Sequence, residues 1–287
     1  MLDQQIIQRL LTRTPHVSQQ ELLANPRFHQ ARTVFLDRFL AVYGQDPFLV
    51  RLLIETSRFA VFLSSLILDA AHDPAQRETW FTVGRLKRQI ASLGLGTSER
   101  QVDYLIARLC AVDFLKMVRS DEDRRVRILK PSAAMLAHHR DWLATHYAPL
   151  TVLCPHNDYG LILRRDPAFQ AVYSRASLAF YPLGMKVLLS EPDMMLFFDR
   201  VAGRMVLAAL LQAASADPDH LHAAVSYAEL GDRFGVSRTH VRQLLMAAER
   251  QGLVKLQARG GHRVEVCLPK TTSGNIDGEA RPGWAEQ

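Results

Sequence analysis

Cysteine is scarce in this chain of 287 residues, and its scarcity counts against several classes of protein. The three cysteines, Cys110, Cys154 and Cys267, lie far apart and form no CxxC pair. This spacing argues against a disulfide framework and against a zinc finger, and it fits a reducing compartment.

Long apolar runs are missing as well. The most apolar stretch, 59–68, is interrupted by Ser64 and Ser65, so it is too short to cross a membrane and is predicted to be a buried helix. The first residues, MLDQQIIQRLLTRTP, lack the apolar core of a signal peptide. We therefore expect a soluble cytoplasmic protein with no membrane partner.

Catalytic and cofactor motifs are lacking too. No Ser/His/Asp or Cys/His arrangement stands out, and Gly94-Leu95-Gly96 has neither the lysine nor the preceding strand of a phosphate loop. The segment 138–158 is rich in histidine and acidic residues, but its spacing matches no zinc pattern, so solvated connector residues are the preferred interpretation. For Cys154 we favour a plain buried cysteine over a redox switch. We expect neither an enzyme nor a bound cofactor or metal.

The clearest pattern that the chain does contain lies in 226–255, SYAELGDRFGVSRTHVRQLLMAAERQGLVK. Ser226 caps a first helix, and Gly235 stands where that helix ends because glycine adopts positive φ without steric cost. Ser237 caps a second helix, whose apolar face has helical spacing: Val241, Leu244, Leu245 and Ala248. The pattern predicts a helix-turn-helix, followed after Gly252 by the first strand of a wing.

The opposite face of this second helix, the recognition helix, is polar and basic near its N-terminus, where such helices meet base edges. We predict DNA contacts from Ser237, Arg238, Thr239, His240, Arg242 and Gln243. Arg238 and Arg242 suit guanine or phosphate, Gln243 suits adenine, and His240 is expected to meet the DNA backbone. In the wing we predict contacts from Arg259, His262 and Arg263. The alternative interpretation is that all of these are ordinary solvated side chains.

The same unit is predicted to occur earlier in the chain. VFLSSLILDAAHDP (61–74) matches MVLAALLQAASADP (205–218), and Thr82 and Ser226 follow at the same separation of 144 residues. Downstream, RSDEDRRVRILKP (119–131) matches ARGGHRVEVCLP (258–269) as a second wing. A weaker likeness of NPRFHQA to DPAFQAV suggests that the repeat also includes the preceding helices.

The recognition helix of this first copy carries acidic residues, and Glu99 and Asp103 near its start are expected to repel phosphates. We predict DNA contacts from Ser98, Glu99, Arg100 and Gln101 in the helix and from Arg119, Arg124 and Arg125 in the wing. Because the two copies differ, we expect an imperfect palindrome with unlike halves. A stricter alternative is that only the second copy reads bases, while the first grips the DNA backbone.

These motifs resemble the winged helix-turn-helix domains of bacterial transcriptional regulators. The first copy resembles the MarR family in its leading helices and charged wing, DEDRR, and GVSRTHVRQLL of the second resembles the Crp and GntR families. In the MarR family two chains pair through terminal helices. The resemblance therefore implies a mainly α fold with small β-hairpin wings and a pseudo-two-fold internal duplication, in which one chain holds both winged units.

The expected organisation has two domains, each large enough for its own core. Apolar spacing predicts helices over 3–13, over 27–43, from 48 through the 60s and over 133–147, with a loop over 149–160. We divide the chain into an N-terminal helical pairing segment (1–57), a first winged domain (58–131), a connecting helical segment (132–201), a second winged domain (202–269) and a disordered tail (270–287).

The charge balance agrees with a nucleic-acid partner. With 35 basic and 29 acidic residues the formal net charge is +6, which suits a polyanion without proving one. We expect a transcriptional regulator whose partner is double-stranded DNA. Two alternatives remain open: a DNA-binding protein of the replication initiator type, and a tandem winged-helix scaffold that binds proteins without DNA. A small-molecule effector and a homodimer also remain open.

Overall fold

The fold is mainly helical, with two small antiparallel sheets in the described part of the chain. The computed structural model describes residues 19–44, 46–189, 192–214, 222–257 and 264–267. The helix predicted over 3–13 and the tail over 270–287 lie outside the described residues. Within the described ranges, no helix is both long and apolar enough to cross a lipid bilayer.

The first half of the chain places a β-hairpin after a series of helices. In order, these elements are α1 (Gln19–Ala24), α2 (Phe28–Tyr43), α3 (Pro47–Leu53), α4 (Thr56–Ala70), α5 (Val83–Ser92), α6 (Glu99–Ala111), β1 (Leu115–Arg119) and β2 (Arg127–Pro131). The single helix predicted from 48 through the 60s is wrong, because Glu55 has extended backbone angles and separates α3 from α4.

The second half of the chain is also mainly helical, and strands stand before and after its last two helices. It comprises α7 (Ala133–Tyr147), α8 (Leu150–Leu153), α9 (Gly160–Leu163), α10 (Pro167–Leu189), α11 (Pro192–Phe198), α12 (Gly203–Ala214), β3 (His222–Val225), α13 (Tyr227–Phe234), α14 (Arg238–Arg250), β4 (Lys255–Leu256) and β5 (Val264–Cys267). The predicted helix over 133–147 is confirmed. The loop predicted over 149–160 instead contains the short helix α8.

Each sheet belongs to a segment that begins with a helix: β1 and β2 to the segment that begins at α4, and β3, β4 and β5 to the segment that begins at α12. In the second segment β5 lies between β3 and β4, and both pairings are antiparallel. In the first segment β1 pairs antiparallel with β2. There Phe81, two residues before α5, joins the hairpin through its backbone, since Leu129 N donates to Phe81 O at 2.8 Å. The two segments therefore have similar orders of elements, with a shorter sheet in the first.

The two longest helices pack on the opposite halves of the chain. Helix α2, from the first half, packs against α12 of the second, and α10, from the second half, packs against α4 of the first. The buried apolar residues form one continuous cluster that reaches from Leu36 to Leu256. We expected each domain to have its own core. The structure instead has one shared core, because α2 and α10 each pack on the opposite half of the chain.

Three histidines of α7 lie inside this core. His139 is 1% exposed, the His146 ring centre lies 4.0 Å from that of Trp142, and His138 packs edge-on against Tyr43. For these three residues the expectation of solvated connector side chains is wrong, because α2 and α4 cover the histidine face of α7.

Burial changes the acid–base behaviour of these histidines, because a low-dielectric interior disfavours the charged imidazolium. It lowers the pKa of His139 to about 3 and that of His146 to about 4. The pKa of His138 is also lowered, mainly by burial. All three rings are therefore neutral at physiological pH.

We predict that the protein loses stability on acidification from about pH 6.5 to about pH 4. An unfolded chain protonates each histidine near pH 6.5, whereas folded His146 and His139 stay neutral until about pH 4 and about pH 3. The stability that depends on neutral imidazoles is complete above about pH 6.5 and is lost as the pH falls. Urea titrations at neutral pH and at about pH 5 should differ by roughly 1–2 kcal/mol for each of His139 and His146.

A matched pair of variants separates buried from exposed histidines. His146→Phe keeps an aromatic ring in the core but removes one titrating group, so it should lose less stability than the parent between the two pH values. His156→Asn removes an exposed histidine and should behave like the parent. Equal acid sensitivity of His146→Phe and the parent would show that His146 is not a neutral core residue.

Candidate nucleic-acid interface

The corner between α13 and α14 is fixed by side-chain caps and a close turn. Ser226 Oγ accepts from Glu229 N at 3.3 Å, and Ser237 Oγ accepts from His240 N at 3.0 Å. Gly235 ends α13 with φ of 67°, a value that favours glycine. These three positions confirm the predicted caps and turn.

Helix α14 has one buried and one solvent-facing side. The predicted apolar face is confirmed, since no side chain on it is more than 1% exposed: Val241, Leu244, Leu245 and Ala248. The opposite side exposes Arg238, Thr239, Arg242 and Gln243. In the described part of the chain, no carboxylate lies within ion-pair distance of either guanidinium. The two arginines are therefore available to an anionic partner.

The charge along α14 favours its N-terminal end as the site of that partner. Its one acidic residue, Glu249, lies in the last turn, where its carboxylate accepts from Leu256 N at 3.0 Å. The helix dipole adds positive potential at the N-terminal end. A phosphate or a base acceptor thus meets positive charge from the side chains and from the backbone.

Two residues predicted to contact DNA have internal partners. His240 is half-buried, and its Nε2 lies 2.9 Å from Val201 O in the turn between α11 and α12. The Ser237 hydroxyl serves as the helix cap. His240 therefore holds α14 against the helical core rather than being presented with Arg238 and Arg242, and the expected contact of this ring with DNA is not supported by its position.

The corresponding helix of the first half, α6, has a different charge pattern. Ser98 and Gln101 form a reciprocal cap, in which Ser98 Oγ accepts from Gln101 N and the Gln101 side chain accepts from Ser98 N. Lys87 Nζ lies 2.8 Å from Asp103 and 3.4 Å from Glu99. Lys87 thus neutralises part of the acidic charge that was expected to repel phosphates, while Arg100 remains exposed.

Sequence reasoning missed Lys87, and no local signal would have found it. Lys87 is in α5, 12 residues from Glu99 and 16 from Asp103, so only the packing of α5 against α6 brings the three together. Thr82 and Ser226 are 144 residues apart, and the residue 144 positions after Lys87 is Gly231, which carries no charge. The pairing is therefore specific to the first half.

The hairpin of the first half presents arginines around a tip that is held by hydrogen bonds. Ser120 Oγ donates to Glu122 at 2.6 Å, and Arg77 Nη2 lies 3.1 Å from Asp123. These contacts occupy two of the three tip carboxylates and leave Asp121 exposed. The hairpin exposes four arginines: Arg119, Arg124, Arg125 and Arg127. This hairpin, which the sequence predicted to be a cationic wing, therefore exposes an excess of positive charge at its surface.

The hairpin of the second half is described only at its base. Leu256 pairs with Val266, and Lys255 pairs with Cys267. The predicted wing contacts Arg259, His262 and Arg263 lie outside the described residues, so their assignment stays a prediction.

Metal chemistry gains no support from the described residues. In this part of the chain, no group of three histidine, cysteine or acidic side chains is arranged to hold a metal ion. Cys110 and Cys154 are free thiols, both half-buried.

No family model matches the chain, and neither a curated protein nor a solved structure is detectably similar to it.

We predict that the corner of the second half tolerates no side chain at Gly231. A Cβ there would lie 2.7 Å from Val236 O and 3.3 Å from Arg238 N, both of them backbone atoms of the turn that positions α14. Gly231→Ala should destabilise the protein by roughly 1–3 kcal/mol, as other overpacking substitutions do. Urea or thermal unfolding measures the change.

Gly84→Ala is the matched control in the first half. Its Cβ would meet nothing closer than 3.7 Å, the end of the Arg88 side chain. Alanine also favours helix, so this variant should be as stable as the parent or more stable by up to about 1 kcal/mol. If Gly231→Ala and Gly84→Ala change the stability by the same amount, the turn backbone does not approach Gly231 as closely as described here.

Proposed function

We propose that the protein is a DNA-binding transcriptional regulator with two unlike winged helix-turn-helix units that read double-stranded DNA. One observation carries this proposal: Arg238 and Arg242 are exposed, without a carboxylate partner among the described residues, on a helix whose opposite face is fully buried. A rigid helix with a cationic N-terminal face suits insertion into the major groove.

The order of elements supports the winged interpretation. From α12 to β5 the chain forms a helix, a strand, two helices that meet at a glycine corner, and two further strands, with β5 in the centre of the sheet. In a winged helix-turn-helix the second helix of the corner is the recognition helix and the last two strands form the wing, which corresponds here to α14 and to β4–β5.

The reciprocal packing of the long helices supports the proposed duplication. Because α2 packs on α12 while α10 packs on α4, the halves exchange equivalent helices, as two chains do across a two-fold axis. A single chain of this kind would place both recognition helices on one side of the duplex. Two unlike half-sites about 10 base pairs apart are then the expected operator.

The two units are proposed to contribute differently. Helix α14 provides arginines that no carboxylate of the described residues pairs, which suits contacts with bases or phosphates, whereas α6 has its acidic residues paired with Lys87. The first hairpin exposes several arginines, so the first unit suits a grip on the DNA backbone more than the reading of bases. Backbone contacts supply affinity, and base contacts supply specificity.

A second candidate function is favoured by the surface of α6. Tyr104 is 58% exposed there, beside the acidic residues Glu99 and Asp103. An exposed tyrosine among charges is typical of protein interfaces, so a tandem winged-helix scaffold is the alternative to DNA binding. A replication initiator would use the same DNA-binding surfaces. The DNA sequence that the protein binds, a replication origin or a promoter, would distinguish that role from transcriptional regulation.

We predict that Arg238→Ala and Arg242→Ala each weaken binding to the selected duplex by about 1–3 kcal/mol if the arginine contacts a base. The duplex is first selected from a random library, and its affinity is then measured by fluorescence anisotropy over a range of salt concentrations. An arginine that touches only phosphate would weaken all sequences alike and reduce the salt slope by about one unit.

Arg250→Ala is the control with the same change of charge. Arg250 is exposed on the last turn of α14, and its Nε donates to Met246 O at 3.4 Å. This variant should bind the selected duplex nearly as well as the parent. Failure to select any duplex, or binding that is insensitive to salt, would reject the DNA-binding proposal and favour the scaffold. If Arg238→Ala, Arg242→Ala and Arg250→Ala all bind the selected duplex as well as the parent does, α14 is not the recognition helix.

A further inference from the structure

Arg204 carries a charge into the core that the two halves share. It is the second residue of α12, and its Nε and Nη2 atoms are shielded from solvent without a hydrogen-bond partner among the described residues. In the same part of the chain, no carboxylate lies within ion-pair distance of its guanidinium. A charge removed from water normally has both a counter-charge and hydrogen bonds, because burial without them is costly. Arg204 therefore lacks the partner that its environment requires.

The groups around Arg204 do not supply the counter-charge. Burial lowers the pKa of Arg204 to about 10, so the guanidinium is cationic at neutral pH. Burial raises the pKa of Tyr43 and of Tyr181, against the smaller effect of the Arg204 charge. It lowers the pKa of His146 to about 4, so both phenols and this imidazole are uncharged. Asp199 acts on Arg204 only from beyond ion-pair distance and is itself exposed.

Aromatic rings from two other helices contact the guanidinium. Its Cζ lies 4.3 Å from the ring centre of Phe198 in α11 and 5.1 Å from that of Phe59 in α4. These cation–π contacts offset part of the cost of removing the charge from water. Ring faces are weak hydrogen-bond acceptors, however, so the N–H groups of Nε and Nη2 stay unsatisfied.

The two unpaired nitrogens select the chemistry of a ligand. Nε–H and Nη2–H lie on one edge of the planar guanidinium and point in parallel, which is the arrangement that a carboxylate accepts with its two oxygens. Tyr43 Oη, in a residue that is 1% exposed, is also buried without a partner and supplies a further donor near the charge. The apolar rings of Phe59 and Phe198 disfavour a strongly hydrated dianion, because it would lose more hydration on entry.

The first half of the chain provides a comparison. The residue 144 positions before Arg204 is Ala60, which lies in α4 and is 0% exposed. An apolar side chain is therefore compatible with the core at this point of the repeat pattern, and packing alone does not require a charge there. The buried charge is specific to the second half and points to a ligand.

Access to the guanidinium limits the size of that ligand. Arg204 as a whole is half-buried, so part of its side chain reaches the surface although Nε and Nη2 do not. A small molecule can approach along this exposed part, whereas a nucleic acid or a folded protein cannot reach the two shielded nitrogens.

We propose that Arg204 and Tyr43 bind a small carboxylate in the core between the two halves. Its oxygens would accept from Nε, Nη2 and the Tyr43 hydroxyl, and its uncharged part would pack against Phe59 and Phe198. The site joins residues of α2, α4, α11 and α12, so the ligand would stabilise the packing of one half on the other. This binding does not depend on the proposed DNA-binding function.

Thermal unfolding of the full chain in sodium acetate and in sodium chloride, at equal ionic strength, tests the proposal. A ligand that binds only the folded protein raises the melting temperature, so about 100 mM acetate should raise that of the parent by a few degrees more than chloride does. Arg204→Met keeps a long side chain but removes the charge, so this additional effect of acetate should disappear. General effects of the two salts remain in the variant, and the difference between the two proteins therefore isolates the site.

Arg200→Met is the control with the same change of charge. Arg200 is exposed in the turn before α12, so its variant should respond to acetate like the parent. Arg204→Lys keeps the charge but lacks the paired N–H groups, so its affinity for acetate, measured by isothermal titration calorimetry, should fall by about tenfold or more. This second variant decides the matter if Arg204→Met does not fold.

Three results would overturn the proposal: no additional effect of acetate on the parent, an equal effect on Arg204→Met, or a lysine variant that binds acetate as tightly as the parent. Duplex binding is measured separately, so its loss would reject the DNA-binding function without affecting these results.

Discussion

The exchange of long helices between the two halves is the constraint on which the rest of the structure depends. Because α2 packs on α12 and α10 packs on α4, neither half closes its apolar core without the other. The helices α12 and α4 are the first elements of the two segments that end in sheets, so the same contacts fix where both candidate recognition helices point. A chain built in this way holds its two proposed DNA-binding units in a fixed relation, which a flexible linker would not do.

The position of α14 also depends on this core. His240 Nε2 reaches Val201 O in the turn before α12, and Gly235 lies against Pro47 at the start of α3, where an added Cβ would come within 2.7 Å. The helix is thereby held by residues from both halves of the chain. Rigid placement matters for the proposed role, because bidentate contacts with bases require side chains on a well-positioned backbone.

Much of the local structure could be predicted from sequence, whereas contacts across the fold could not. The caps Thr82, Ser98, Ser226 and Ser237 act within three residues, so the sequence carries their signal directly. The burial of His138 and the pairing of Lys87 with Asp103 depend on helices that are distant in sequence. The break at Glu55 was missed because apolar spacing continues through it. The exposed arginines of α14 could be predicted because the apolar spacing identifies the buried face of the helix, and the residues on the opposite face must then face solvent.

The differences between the halves carry more functional information than their similarities. Helix α6 has its acidic residues neutralised by Lys87, while α14 has arginines that no described carboxylate pairs. Helix α2 turns polar residues to solvent, while α10 turns Val172 and Phe180 outward. Common packing preserves the core in both halves, so the surfaces are free to diverge. The proposed duplication thus yields one unit suited to reading bases and one suited to binding the DNA backbone.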